Sequence, residues 1–356
     1  MVDAILHCEP AYKTMLLTDF DPETDSESFS VHFLSSGSKG NCTLVREGKD
    51  AFVIDFGLTA EKFVTLLRRE KVHVDYTRDS AYSKKEFYIP NPSPLSARLA
   101  GALLTHTHKD HWGESALNVL KANKARLFCH ASHAYVLERT KGFRGLSKEN
   151  LVSEYDRVSF SLTPRTEVTP LRLPHDSEHT FGFVFTHKAP DGNLVKFSYI
   201  ADLGHFPQSL VAKLADSDLL AIEFNHDKQM ERQSGRPPEL IARVLGRYGH
   251  LSNEEAAIAL DSVLGASTKF PHTVVLLHLS EDCNCPHRAR AHAVDVLKAH
   301  NLSPQLIVAR PFECAGRVEL LPSAMKRPTK VSTRATSPKK VMSSLCYVQD
   351  DLFAEQ

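Results

Sequence analysis

Leu103-Leu104-Thr105-His106-Thr107-His108-Lys109-Asp110-His111-Trp112-Gly113 is the stretch on which the reading of this chain turns. Leu103 and Leu104 read as the end of a buried strand, and four potential metal ligands follow within six residues. Side chains two apart on an extended segment share a face, so His106 and His108 converge on one cation. Asp110 and His111 lie where the chain turns and can point to a second cation beside the first. Imidazole and carboxylate without thiolate suit zinc, manganese or iron(II), in an open, water-bearing site. The bland alternative is a loop of solvated histidines in a chain that holds 19 of them. Four ligands packed behind an apolar strand speak against it.

Working outward, 356 residues with 42% hydrophobic content can bury a full core as one large domain with appendages. The formal net charge is zero, so no global excess of charge argues for nucleic acid. Seven cysteines (Cys8, Cys42, Cys129, Cys283, Cys285, Cys314, Cys346) are scattered and odd in number. Met1 to Pro10 has neither a basic start nor a long apolar run, and no stretch reaches the roughly 18 apolar residues of a membrane span. The expectation is a cytoplasmic protein with no membrane contact, its cysteines mostly small buried side chains. Cys283-Asn284-Cys285, a pair with no second pair, is read as structural.

Residues 1–29 are acidic and polar and read as an N-terminal extension; residues 30–321 form the folded domain, and 322–356 a disordered basic tail. Within the domain, strands are expected over Val31 to Leu34, Cys42 to Val45 and Ala51 to Ile54, with the Gly/Ser loop Ser35 to Asn41 between the first two. Leu58 to Arg69 has helical spacing. Residues 71–97, with Pro90, Pro92 and Pro94, look like an inserted loop, and Leu99 to Thr105 is the strand feeding the metal motif. Helices follow over Glu114 to Ala122 and Ala134 to Arg139, around a strand Ala125 to Cys129. Strands come next over Arg157 to Phe160, Thr166 to Leu173, Phe181 to Thr186 and Val195 to Ile200. Helices return at Ser209 to Ala215, Glu239 to Arg247 and Asn253 to Leu264, the last opened by Ser252 with Glu255 three residues on. Thr273 to Leu277 is a strand and Pro286 to Ala299 a helix.

Three further strand ends carry candidate ligands: His175 after Leu173, Asp202 before a Gly turn, and His278 after Leu277. Asp55, after Val53-Ile54, reads as a residue that orients a ligand histidine and fixes its tautomer. Periodicity alone leaves several α/β folds open. The H-x-H-x-D-H pattern of His106, His108, Asp110 and His111, however, resembles the signature of the metallo-β-lactamase superfamily. That resemblance implies a four-layer αββα sandwich and a dinuclear hydrolase site with two divalent metal ions, zinc or manganese. It also implies that His175 completes a set with His106 and His108, that Asp202 bridges the two cations, and that His278 joins Asp110 and His111.

Several runs are similar to one branch, the YycJ or WalJ type associated with exonuclease activity on DNA. They are Ser35 to Asn41, Ile54 to Leu58, the histidine motif, His175-Asp176, Ala201 to Gly204, Glu223 to Asp227, Gly249 to Ala257 and His278 to Ser280. Ala201 and Cys283-Asn284 depart from that branch, which has Thr before the bridging Asp and Asn-Asn after the last histidine. The resemblance implies a phosphodiesterase, a 5′ to 3′ DNA exonuclease of replication or repair, located with the nucleoid. Asp110 would ligate one metal and accept a hydrogen bond from the nucleophile, and His250 would serve the phosphoryl or departing oxygen. Ser38, Asn41, His226 and Ser252 are the expected phosphate contacts, the free N–H groups of Ser252 and Asn253 included. Arg232, Arg236, Arg243 and Arg247 would line a path for the strand. The alternative keeps the metals but gives them a small substrate, such as a cyclic nucleotide, phosphonate diester, thioester or lactone. A third reading is a scaffold with a degenerate site, against which the seven intact ligands argue. Gln349-Asp350-Asp351-Leu352-Phe353 resembles the peptide by which replication and repair proteins bind the DNA sliding clamp, with Gln349, Leu352 and Phe353 as its contacts.

Overall fold

The computed structural model describes residues 28–76, 90–94 and 96–320. Nearly all of the acidic extension, most of the 71–97 loop, and the tail with Gln349, Leu352 and Phe353 lie outside the described residues. In chain order the elements begin β1 (Phe29–Ser35), β2 (Cys42–Glu47), β3 (Asp50–Ile54), α1 (Ala60–Arg69), β4 (Val72–His73), β5 (Ala97–Leu103), α2 (Glu114–Ala122) and β6 (Arg126–His130). Then come α3 (Ala131–Leu137), α4 (Lys141–Lys148), β7 (Val152–Tyr155), β8 (Phe160–Ser161), β9 (Thr166–Leu173), β10 (Thr180–Lys188) and β11 (Leu194–Ile200). A 3₁₀ turn at Gln208–Leu210 leads into α5 (Val211–Leu214), followed by β12 (Leu219–Glu223), α6 (Lys228–Arg232), α7 (Pro238–Val244) and α8 (Asn253–Ala266). The described chain closes with β13 (Thr273–Leu277), α9 (Pro286–Ala299), β14 (Gln305–Val308) and β15 (Arg317–Glu319).

One sheet runs β15-β1-β2-β3-β5-β6-β7, with β4 paired to the start of β5, and the other runs β14-β13-β12-β11-β10-β9-β8. Three buried apolar clusters show how they stack. Phe63, Leu67, Leu117, Leu120 and Phe143 pack helices α1, α2 and α4 on the first sheet. Phe33, Ile54, Leu103, Phe183, Phe197 and Leu277 fill the space between the sheets. Ile200, Ile222, Leu260, Val263 and Leu297 pack α8 and α9 on the second. Three cores between four layers make the αββα sandwich, and each strand that faces apolar neighbours on both sides is a continuous apolar run such as Thr273–Leu277.

Strand direction positions the site. β3 and β5 are parallel, as are β11, β12 and β13, and β9 runs with them because β10 is antiparallel to both β9 and β11. The carboxyl ends of β3, β5, β9, β11, β12 and β13 therefore lie at one edge of the sandwich, where ligands gather in parallel sheets.

Most elements fall where the sequence puts them, and the differences have local causes. The strand expected over 157–160 is only Phe160–Ser161, and the short helix starts at Ala131, capped by His130. Helices α4 and α6 and strands β4, β7, β12, β14 and β15 were not expected, β4 falling in the stretch read as an inserted loop. Ser252 does open α8: its hydroxyl accepts from Glu255 N at 3.2 Å while Glu255 Oε2 accepts from Ser252 N at 3.0 Å.

Candidate metal centre

Beyond Leu103 the chain leaves β5 and turns so tightly that His111 N donates to His108 O at 3.0 Å. The motif is pressed against the loop after β3. A Cβ on Gly57 would lie 1.8 Å from Asp110 O, so only glycine lets the two segments approach this closely. The turn brings His106, His108 and His175 together, each offering one ring nitrogen to a common point. His175 Nε2 is 3.2 Å from His108 Nδ1, and the other nitrogen of His175 is fixed by Gly249 O at 2.8 Å. Beside this set lies a second, Asp110, His111 and His278. Asp110 Oδ2 is 3.3 Å from His111 Nε2 and 3.3 Å from His278 Nε2. Asp202 stands between them, 3.3 Å from His111 and grouped also with His106 and with His278.

Carboxylates behind the ligands set their orientation. Asp55 Oδ2 holds His111 Nδ1 at 2.7 Å and accepts from the Thr105 hydroxyl at 2.9 Å, which leaves His111 Nε2 facing the centre. Glu223, at the end of β12 and fully buried, does the same for two rings. Its Oε1 is 2.8 Å from His250 Nδ1 and 3.3 Å from His278 Nδ1, while its Oε2 accepts from the backbone N–H groups of Leu203 and Leu251, each at 3.2 Å. Three residues of this cluster, Asp55, Asp202 and His278, have φ of 61°, 63° and 56°. This left-handed conformation costs a non-glycine residue about 1–2 kcal/mol and is held here by the strands that end at each position.

Burial pushes His106 well below the ordinary imidazole range and His175 down to about 4, so both are neutral and ready to ligate. Burial also opposes charge on His111 and His278. Asp202 and Asp110 outweigh it at both rings, helped by Asp55 at His111 and by Glu223 at His278, and His278 rises to about 10. In the metal-free protein these two imidazoliums balance the carboxylates, a role that a cation would take over. His106 Nε2 and Asp202 Oδ2 are buried with no hydrogen-bond partner, a costly arrangement that a cation at the centre relieves. The donors are imidazole and carboxylate throughout, so the residues fit divalent metal.

Several expected contacts fall elsewhere. Asn41 is buried, and its amide donates to Asp110 O and Oδ2 at 3.3 and 3.2 Å, so it supports a ligand instead of meeting phosphate. His226 is not at the rim: it is fully buried, its carbonyl accepts from Asn253 N at 2.8 Å, and neither ring nitrogen has a partner. Ser252 is likewise buried and spends its hydroxyl and N–H on Glu255, so the two N–H groups expected to be free are both engaged. Ser38 alone of the four is exposed. Arg236 is paired with Glu231 and Asp282, and Arg243 with Asp176, so neither is a loose cation. His250 reaches the centre as expected, its ring 5.2 Å from that of His278. Glu223 was missed as a site residue; the signal was there, an acid closing the apolar run Leu219-Leu220-Ala221-Ile222.

The family model described as the beta-lactamase superfamily domain matches residues 74–279. The exodeoxyribonuclease YycJ of Bacillus anthracis is 26% identical over 272 residues, covering 75% of this chain and 89% of that protein. The exodeoxyribonuclease WalJ of Streptococcus pneumoniae is 24% identical over 292 residues, covering 77% and 90%. Among solved structures, the metallo-beta-lactamase fold protein YhfI of Bacillus subtilis superimposes with a TM-score of 0.55 at 15% identity, covering 82% of this chain and all of that one.

Proposed function

The chain belongs to the beta-lactamase superfamily and is a metal-dependent hydrolase, and on that premise we propose that it is a DNA exonuclease working from the 5′ end with two divalent cations, zinc or manganese. The observation that carries the reading is the meeting of two ligand sets at one carboxylate: His106, His108 and His175 on one side of Asp202, and Asp110, His111 and His278 on the other. The exodeoxyribonuclease relatives, spanned for 89–90% of their length, support DNA as the substrate. Two cations in such sets supply Lewis acidity toward phosphoryl oxygens and make water nucleophilic at neutral pH.

The chain's own residues do the positioning. Asp110, steadied by Asn41, accepts a hydrogen bond from the attacking water and aligns it. His250, with Nδ1 committed to Glu223, keeps Nε2 for a phosphoryl oxygen or for the departing oxygen, which leaves as an alcohol once protonated. Through Gln349, Leu352 and Phe353 the enzyme would be recruited by a sliding clamp to replicating or repaired DNA. The test is digestion of 5′-labelled single- and double-stranded DNA by chelated protein resupplied with zinc or manganese, beside His108→Ala. Metal-dependent release of nucleotides from the labelled end, absent in the variant, is expected. A protein that holds its metals and cuts no nucleic acid would overturn the reading.

A further inference from the structure

Tyr248 is 46% exposed on the short loop between α7 and α8, two residues before His250. The other large apolar side chains left exposed among the described residues are Tyr135, Val158, Leu194 and Ile258, and Leu194 opens β11 at the end opposite Asp202. Tyr248 is tied to the metal centre through its backbone. Its carbonyl accepts from Asp176 N at 3.0 Å, and the next carbonyl, that of Gly249, holds His175 Nδ1 at 2.8 Å. The ring of His205 meets the Tyr248 ring edge-on, centroids 6.4 Å apart at 76°, and its Nδ1 donates to Arg247 O at 2.9 Å. The loop that carries Asp202 and His205 cannot slide against Tyr248, because a Cβ on Gly204 would lie 2.3 Å from Arg247 O and 2.5 Å from Gly249 N. Asp176, whose N–H donates to the Tyr248 carbonyl, is gripped at both oxygens by Arg243, and its Oδ1 is in turn 3.4 Å from His108 Nε2. An exposed aromatic side chain is thus carried on a loop that is held on both sides by the segments bearing His175 and Asp202.

We propose that Tyr248, buttressed by His205, is a stacking platform for one nucleobase of the substrate strand near the scissile linkage. The proposal rests on the nucleic-acid reading of the site and adds to it a preference for a single-stranded end, because a base inside a duplex has both faces covered by its stacked neighbours. Aromatic platforms of this kind accept any base, since every base has a π-face, and a strong contribution to binding is usual for each stacked base.

The test crosses a protein variant with a substrate variant, using the full chain loaded with manganese. KM is measured on single-stranded oligonucleotides that are intact or carry one abasic residue at each of the first four positions from the 5′ end. With wild-type protein, one abasic position raises KM about 10-fold. Tyr248→Ala raises KM about 10-fold on the intact strand, keeps its full metal content, and no longer responds to that abasic position. Tyr248→Phe, which keeps the face, behaves as wild type, and His205→Ala gives the same pattern in weaker form. Equal losses on intact and abasic strands, or no loss, would overturn the platform while leaving the nuclease intact. Failure of wild-type protein to cut any oligonucleotide would overturn the nucleic-acid reading and the platform with it.

Discussion

Glu223→Gln is nearly isosteric, yet it places an amide where one carboxylate serves four donors. In the wild-type protein Oε1 takes the Nδ1 protons of His250 and His278, and Oε2 takes the N–H groups of Leu203 and Leu251. Burial alone would raise the Glu223 pKa, but His250 and His278 outweigh it and hold the carboxyl well below the usual range, so the group is charged. A glutamine has two ways to sit. With its oxygen toward the rings, its N–H₂ faces two backbone N–H groups that then have no acceptor, at about 1–3 kcal/mol each. Because the wild-type bonds are long, a loss of about 2–4 kcal/mol follows, or roughly 5–15 °C in melting temperature. With its N–H₂ toward the rings, the backbone is satisfied but both Nδ1 atoms must become acceptors. The proton of His278 then moves to Nε2, the nitrogen that faces Asp110 and should carry the ligating lone pair. Either arrangement weakens metal binding at the Asp110, His111 and His278 set by about 10–100-fold. Calorimetric titration of zinc into chelated protein reads the affinity, and a thermal melt separates the two arrangements. A variant with wild-type melting temperature and wild-type affinity at both sets would refute the idea that Glu223 locks the tautomer.

Two further predictions concern the same centre. In the metal-free protein His278 is raised from 6.5 to about 10, so the stability it adds is complete below about pH 6.5 and is lost as pH climbs through about 10. Denaturation midpoints of chelated protein should fall over that window, and metal-loaded protein should lack the slope because the cation has displaced the protons; parallel curves would contradict this. Gly57→Ala would drive a Cβ to 1.8 Å from Asp110 O with only backbone around it, and should cost about 3 kcal/mol or more. Metal content and a melt on the purified variant check it, and a stable, fully loaded protein would show that the loops can part.

The candidate ligands His106, His175, Asp202 and His278 were legible because each follows closely on an apolar strand, a pattern that survives without knowledge of pairing. His108, Asp110 and His111 lie in the turn beyond His106 and were legible from the motif, and the structure gathers all seven at one edge. What stayed hidden depends on who pairs with whom. Glu223 is an ordinary acid until β12 is placed between β11 and β13, where its carboxylate lands behind His278 and His250. Asn41 looks like a loop residue free to meet phosphate until the β3–β5 pairing brings Asp110 against it. His226 and Ser252 were misread for the same reason: a backbone bridge between them turns both inward, and no sequence period announces such a bridge. Helix α4 escaped notice because Gly142 and Gly145 interrupt its pattern, although both glycines face the neighbouring helix α2.

The left-handed backbone at Asp55, Asp202 and His278 sets a trap for laboratory evolution. Glycine is the usual remedy for such a backbone and would relieve about 1 kcal/mol of conformational tension at each position, but it would also strip a buried charge of its partner: Asp55 and Asp202 face the His111 ring, and His278 faces Asp110 and Glu223. At about 3–5 kcal/mol that loss outweighs the gain, so the routine hardening substitution would cost both the fold and the chemistry. A library built to harden this protein should therefore hold those three codons constant and look for gains in the helices packed on the outer faces of the sandwich.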